Sequence, residues 1–219
     1  MRLFKSSAVN WKYFVGEILL IFFGISLAIW FNNWNTSNTI NENKRIAIDK
    51  IEEEIQNNLS ELHSAREVNL KIPKAIEAYE EIVLESYGKA VSSISKMKNF
   101  QENFPEFFII KDSVRINDSL YRYLGNTKIK LELVSLSQIA WETSRNMGIT
   151  NEFGYECLYS LENMHNIQRL VQNEMNKAAE ALQNEEIERL KRILGTVNQL
   201  DVQLEDAYNS MLGHITDCL

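Results

Sequence analysis

Residues that break helices are scarce in this chain. It has 2 prolines, Pro73 and Pro105, and 8 glycines in 219 residues. So few turn signals argue against a many-stranded sheet and for long helices. Histidine is scarcer still, with only His63, His165 and His214. No HExxH zinc motif, glycine-rich phosphate loop or GxSxG turn is present, so the sequence nominates no catalytic residue and no cofactor. An enzyme is not expected. The 2 cysteines, Cys157 and Cys218, lack metal-ligand spacing. They could pair in an oxidising compartment or remain free thiols, and the spacing does not choose. Positive charge is also short, with 23 Lys and Arg against 30 Asp and Glu and a formal net charge of −7. That balance argues against a broad basic face for nucleic acid, which is not an expected partner.

What the chain does have is one long apolar run. Phe14 to Phe31 is uncharged except for Glu17. As a helix its 18 residues span about 27 Å, close to the roughly 30 Å of a bilayer's hydrocarbon core. Trp11 and Tyr13 bracket its start and Trp30 and Trp34 its end, where amphipathic rings favour the headgroup level. The lipid bilayer is therefore the first expected partner. Arg2, Lys5, Lys12 and Glu17 sum to +2, which leaves −9 of the net −7 for everything after Asn35. The positive-inside rule then places the N-terminus in the cytoplasm and the body outside it. A cleaved signal peptide is the competing reading, with "SLA" (Ser26 to Ala28) as its cleavage site. The apolar run continues past that site into Ile29, Trp30 and Phe31, which favours an uncleaved anchor.

An acid inside such a run needs a reason. At about 100° per residue, Glu17, Gly24, Ala28 and Asn35 fall in one narrow stripe. Gly24 and Ala28 have small-xxx-small spacing, which lets helix backbones approach closely in lipid. The stripe reads as a membrane-helix association face, meeting another membrane protein or further copies of the chain. The simpler alternative is a snorkelling Glu17, reaching back to the headgroups or to the Tyr13 hydroxyl.

Beyond the anchor, "NNWNTSNTINEN" is rich in asparagine, serine and threonine. Thr39 and Glu42 have capping-box spacing for a new helix near Ile40, although the anchor helix could equally continue through the tract. Ile48, Ile51, Ile55, Leu59 and Leu62 then form one apolar stripe, with Glu52, Glu53 and Glu54 read as its solvated side. Pro73 marks a break, after which "KAIEAYEEIVLESYGKAV" reads as a helix returning along the first. "NFPEFFII" reads as a packed loop, and "KIKLELV" (Lys128 to Val134) alternates like a short strand. Helical signal resumes at Leu136, pauses at "NMGITNEFG", and runs on from Tyr155 to Leu182. A last stripe extends from Ile187 to Ile215, interrupted by Asp201.

The fold class this implies is mainly α: one N-terminal transmembrane helix followed by an antiparallel bundle of four to five helices. Residues 1–12 are a short cytoplasmic tail, 13–34 the anchor, 35–45 a polar linker or helix continuation, and 46–219 an extracytoplasmic bundle domain. The one chemical constellation is Glu162 and His165, an acid and a histidine at i and i+3. That is half of a di-iron bundle motif. The other half is missing, and no metal site is expected.

The string "GEILLIFFGISLAIWFNNWN" resembles the N-terminal signature of a family of small bacterial single-pass membrane proteins. The family is common in Bacteroidota and has no assigned function. Matching positions are Gly16, Glu17, Ile18, Gly24, Ile25, Ala28, Asn32, Asn33, Trp34 and Asn35; Thr36 stands where the family usually has an acid. "IAWETSRNMGI" (Ile139 to Ile149) is similar to a second family stretch. The resemblance implies a bitopic inner-membrane protein with a helical periplasmic domain, and it supplies no activity. Two functions remain. One is a self-associating or accessory scaffold component of an envelope complex. The other is an oligomeric channel or transport subunit with a ring of Glu17-bearing helices. A single helix cannot enclose a path, and bulky Leu20 and Ile21 beside Glu17 favour the first.

Overall fold

A computed structural model describes residues 11–84 and 89–219. The first ten residues of the expected cytoplasmic tail, with Arg2 and Lys5, lie outside them. The chain is mainly α, with six α-helices and one small sheet among the described residues. Its dominant element is α1, Trp11–Asn69, an unbroken helix of 59 residues that extends about 88 Å at 1.5 Å per residue. The polar tract at 35–45 is therefore a helix continuation. Thr39 does not cap a new helix; its hydroxyl donates to the Asn35 carbonyl one turn back, at 3.1 Å.

The apolar stripe of α1 enters the core at Ala47. Ile48, Ile51, Ile55 and Leu62 are buried. After a turn at Leu70, α2 (Lys71–Glu80) carries on in nearly the same direction. Pro73 sits in the first turn of α2, where a missing N–H costs little. Because α2 prolongs α1, it does not return along it. The expected second helix ends at Glu80, and chain beyond it forms β1 (Val83–Leu84) and β2 (Lys89–Ser92).

Next come α3 (Ile94–Asn103), β3 (Phe108–Arg115) and β4 (Tyr121–Thr127). Ser93 caps α3 by accepting from the Lys96 N–H. The four strands form an antiparallel sheet of order β1-β2-β4-β3, with a bulge between Ile110 and Asp112. The packed loop expected at "NFPEFFII" is thus the end of α3, a turn and the start of β3. "KIKLELV" is not a strand. It belongs to an extended strap, residues 128–138, that pairs with no strand.

The strap leads into α4 (Ile139–Asn146), a 3-10 turn, α5 (Tyr155–Gln183) and α6 (Ile187–His214). Gly148, at φ 72°, takes the left-handed conformation that ends α4. Helix α6 runs antiparallel to both α1 and α5. Arg66 reaches Asn198 and Glu205, Lys191 reaches Glu80, and Tyr208 reaches Gln168. With α4 and α2 packed on these three, the bundle has five helices. Its core has two parts. One, toward the exposed apolar run of α1, centres on Ile51, Trp141, Leu161, Leu204 and Tyr208. The other, at the far end, joins Ile76, Phe100, Phe108 and Tyr123 to Ala178 and Leu190. The two cysteines are paired: Cys157 in the first turn of α5 is bonded to Cys218, with Cα atoms 5.3 Å apart. Lys44 Nζ donates to the Leu219 carbonyl at 2.6 Å, fastening the C-terminus to α1.

Candidate functional site

The stretch of α1 from Phe14 to Phe31 is long and apolar enough to cross a membrane, and none of it is buried. Trp11, Tyr13, Trp30 and Trp34 are all exposed at its two ends. Phe14 packs at a tilt beside Trp11 and Phe31 beside Trp34, with ring centroids 5.5 and 5.9 Å apart. Glu17, Gly24, Ala28 and Asn35 are likewise exposed along one side. A Cβ added at Gly24 would meet nothing within 4 Å, so that face is open. No hydrogen bond joins Glu17 to Tyr13 among the described residues.

Where that stripe goes beyond the apolar run follows from helix geometry. Continued at about 100° per residue, its line passes within roughly 20° of Glu42, Ile46 and Glu53. All three are exposed, Ile46 with 49% of its surface. The buried residues Ile48, Ile51, Ile55 and Leu62 lie on the other side of the helix, about 140–180° away. The core of the bundle therefore packs on the back of α1, while Ile46 and Glu53, exposed on the stripe, line a groove whose other wall is Ile139, Thr143 and Met147 of the α4 region.

The back of α1 carries a polar device. Asn58 Nδ2 donates to the Ser137 carbonyl and its Oδ1 accepts from the Ser137 N–H, both at 2.8 Å. Asn69 clamps Glu132 in the same way, at 2.8 and 2.9 Å. Each amide substitutes for a neighbouring strand by satisfying both backbone groups of one residue. The register is physical. Eleven helical steps from Asn58 to Asn69 rise about 16.5 Å, and five extended steps from Glu132 to Ser137 cover about the same. Glu61 adds a bond from the Ser135 N–H at 2.7 Å. From the other side, Gln168 and Gln172 donate to the Leu136 carbonyl, each at 2.9 Å, while Gln168 accepts from the buried Tyr208 hydroxyl at 3.0 Å. Burial pushes the Tyr208 phenol well above its ordinary pKa.

Glu54 closes this network. Read from sequence as a solvated acid, it is buried. Its Oε2 accepts from Ser137 Oγ at 2.7 Å and from the Ala140 N–H at 2.9 Å, and Oε1 accepts from the Trp141 N–H at 3.4 Å. A carboxylate on one helix thus satisfies orphan donors at the start of another, where the helix dipole also favours negative charge. Glu54 thus caps the start of α4 from α1.

Glu162 and His165 do not converge on a metal. Glu162 faces Arg145 at 3.7 Å, while the His165 ring stacks on Trp141 at 5.1 Å. His165 is buried and neither ring nitrogen has a hydrogen-bond partner. Burial pushes its pKa down to about 4; nearby Arg145 and Arg169 add to this, and the Gln168 side chain partly offsets it. Among the described residues no three His, Cys, Asp or Glu side chains converge as metal ligands. Asp201, the interruption in the α6 stripe, is buried with Oδ1 unpartnered. Burial raises its pKa to about 6, with Glu205 reinforcing the shift and Arg66 opposing it.

No family model, curated protein or solved structure matches the chain.

Proposed function

We propose that the chain is a bitopic inner-membrane protein with a periplasmic helical domain, acting as a self-associating or accessory scaffold component of an envelope complex. The observation that carries this reading is α1 itself. One helix joins anchor to core without a break, so the stripe of Glu17, Gly24, Ala28 and Asn35 is fixed relative to the domain. That stripe lies opposite the buried face of α1. A partner helix can run along it through the membrane and reach the groove that Ile46 and Glu53 share with α4. Two independent features support the orientation. The cations Arg2, Lys5 and Lys12 precede the span, and the disulfide belongs to an oxidising compartment. The family resemblance points to the same topology.

The test is oxidative crosslinking of the full chain in its native membrane. A cysteine introduced at Ile46 lies on the stripe, while one at Ser37 lies on the other side of the same helix. Ile46→Cys should give a disulfide-linked dimer, or a crosslink to one defined partner, and Ser37→Cys neither. Equal crosslinking at both positions, or none at Ile46, contradicts the proposed face.

A further inference from the structure

At the far end of the domain, chain from three separate regions closes around a cleft of about 360 Å³. Its walls are the α1–α2 joint, the turn between α3 and β3, and the first residues of the strap. Two bonds hold the strap in place there. Lys128 N–H donates to the Phe107 carbonyl at 2.7 Å, and Asn69 clamps Glu132 just downstream.

The floor is apolar: Ile72, Ala75 and Phe107 are buried, and Phe104 and Ile129 are half-buried beside them. The rim is cationic, because Lys71 of α2 and Lys128 and Lys130 of the strap all line it. Neither Lys71 nor Lys128 has an ion-pair partner among the described residues. Lys130 meets Glu132 only at 4.0 Å, and Glu106 is the one acid that lines the cleft. In a chain with a net charge of −7, three lysines around an apolar floor reverse the general field. Lysines on the rim are free to move their ammonium groups onto an anion, and the floor offers surface to an apolar body.

We propose that this cleft binds a small anionic amphiphile, a carboxylate with an apolar tail. The tail lies on Ile72, Phe104 and Phe107, and the carboxylate is held by Lys71, Lys128 and Lys130. The complementary charge identifies the ligand class, and the cleft's volume suits a small molecule. Place in the fold restricts the source. Between Trp34 and Val68 helix α1 rises about 50 Å, so lipid of the bilayer that holds the anchor does not reach the cleft. The ligand arrives from solution as a monomer. This inference does not depend on the association face.

The experiment uses the full chain in nanodiscs and an octanoate probe with a diazirine near the end of its tail, followed by peptide mapping. Labelling should concentrate on peptides holding Val68 to Ala75, Phe104 to Phe107 and Lys128 to Lys130. Unlabelled octanoate should displace the probe, and octylammonium, with the same number of carbons and opposite head charge, should not. The combined variant Lys71→Glu, Lys128→Glu, Lys130→Glu should lose labelling by about tenfold, since the rim then carries the same negative sign as the head group and repels it. All three lysines are exposed, and circular dichroism checks that the variant keeps its fold. Labelling confined to the anchor, or octylammonium competing as well as octanoate in the wild type, overturns the proposal. So does undiminished labelling of the cleft in the charge-reversed variant.

Discussion

Glu54→Ala removes a side chain that caps α4 from another helix, and its effect can be estimated bond by bond. Two short bonds are lost, from Ser137 Oγ at 2.7 Å and from the Ala140 N–H at 2.9 Å, together with a longer one from the Trp141 N–H at 3.4 Å. Hydrogen bonds to a charged group are worth about 1.5–3 kcal/mol each, and donors left buried without a partner add to the loss. The bonds are not additive, because one carboxylate makes all three, so the local cost is set at about 3 kcal/mol. Amide hydrogen exchange resolved to Ala140 and Trp141 reads this directly. Local opening of α4 should become about a hundredfold more frequent, with protection falling in proportion. Amides in the middle of α5 should change far less. Glu54→Gln keeps the shape and one acceptor oxygen, so its loss should be about 1 kcal/mol. If protection at Ala140 and Trp141 is unchanged in Glu54→Ala, the capping argument is wrong and α4 is held by packing of Trp141 alone.

Further predictions concern the buried titratable groups, the disulfide and topology. Asp201 has a folded pKa raised to about 6 from an ordinary 3.8. Its protonated form is the one the fold favours, and the stability present below pH 3.8 is lost as pH rises through 6. Asp201→Asn should therefore stabilise the domain at pH 7, by about 2 kcal/mol, seen as a higher Tm; a lower Tm at pH 7 would refute it. His165, lowered to about 4 from 6.5, has the opposite slope, because stability falls as pH drops from 6.5 toward 4. His165→Phe should remove that acid-side loss of about 3 kcal/mol while keeping the stack on Trp141, and an unchanged pH profile would contradict it. In the wild type the two slopes largely offset between pH 4 and 6, so each shows only when the other group is replaced. Cys157→Ser should cost about 4 kcal/mol by the loop-closure model, since the bridge spans 61 residues; a loss below about 1 kcal/mol in chemical denaturation would mean that the ends are held without it. A reporter active only outside the cytoplasm should work when fused after Leu219, and activity of a cytoplasm-only reporter there would reverse the orientation.

The parts of the fold legible in the sequence are those that bury one face of a long helix. The stripes of α1 and α6 and the extent of α5 follow from three-four spacing, since every step of such a helix meets the same core. The hairpin of β3 and β4 was not legible for the converse reason. From Lys111 to Ser119 its residues are exposed, so no alternation of burial is written there. The strap misled in the other direction: Lys128 to Val134 alternates because it is extended against a helix, where Asn58 and Asn69 replace a partner strand. Glu54 was hidden in a run of three acids, and its partners are more than eighty residues away. The amides at Asn58 and Asn69, eleven apart on the border of an apolar stripe, were the signal available for this network. Pairing of Cys157 with Cys218 needed the third dimension, since the first lies in the opening turn of α5 and the second beyond α6.

Bulk placed on the stripe of α1 shows whether that stripe is an interface. Gly24 lies on the stripe, and Ser26 lies about 180° around the same helix. Oligomer size in native membranes should be measured for the wild type, Gly24→Leu and Ser26→Leu. Gly24→Leu should break the assembly and Ser26→Leu should leave it intact. Assembly unchanged in both variants, or lost equally in both, would contradict it and leave Glu17 as a carboxylate snorkelling to the headgroups.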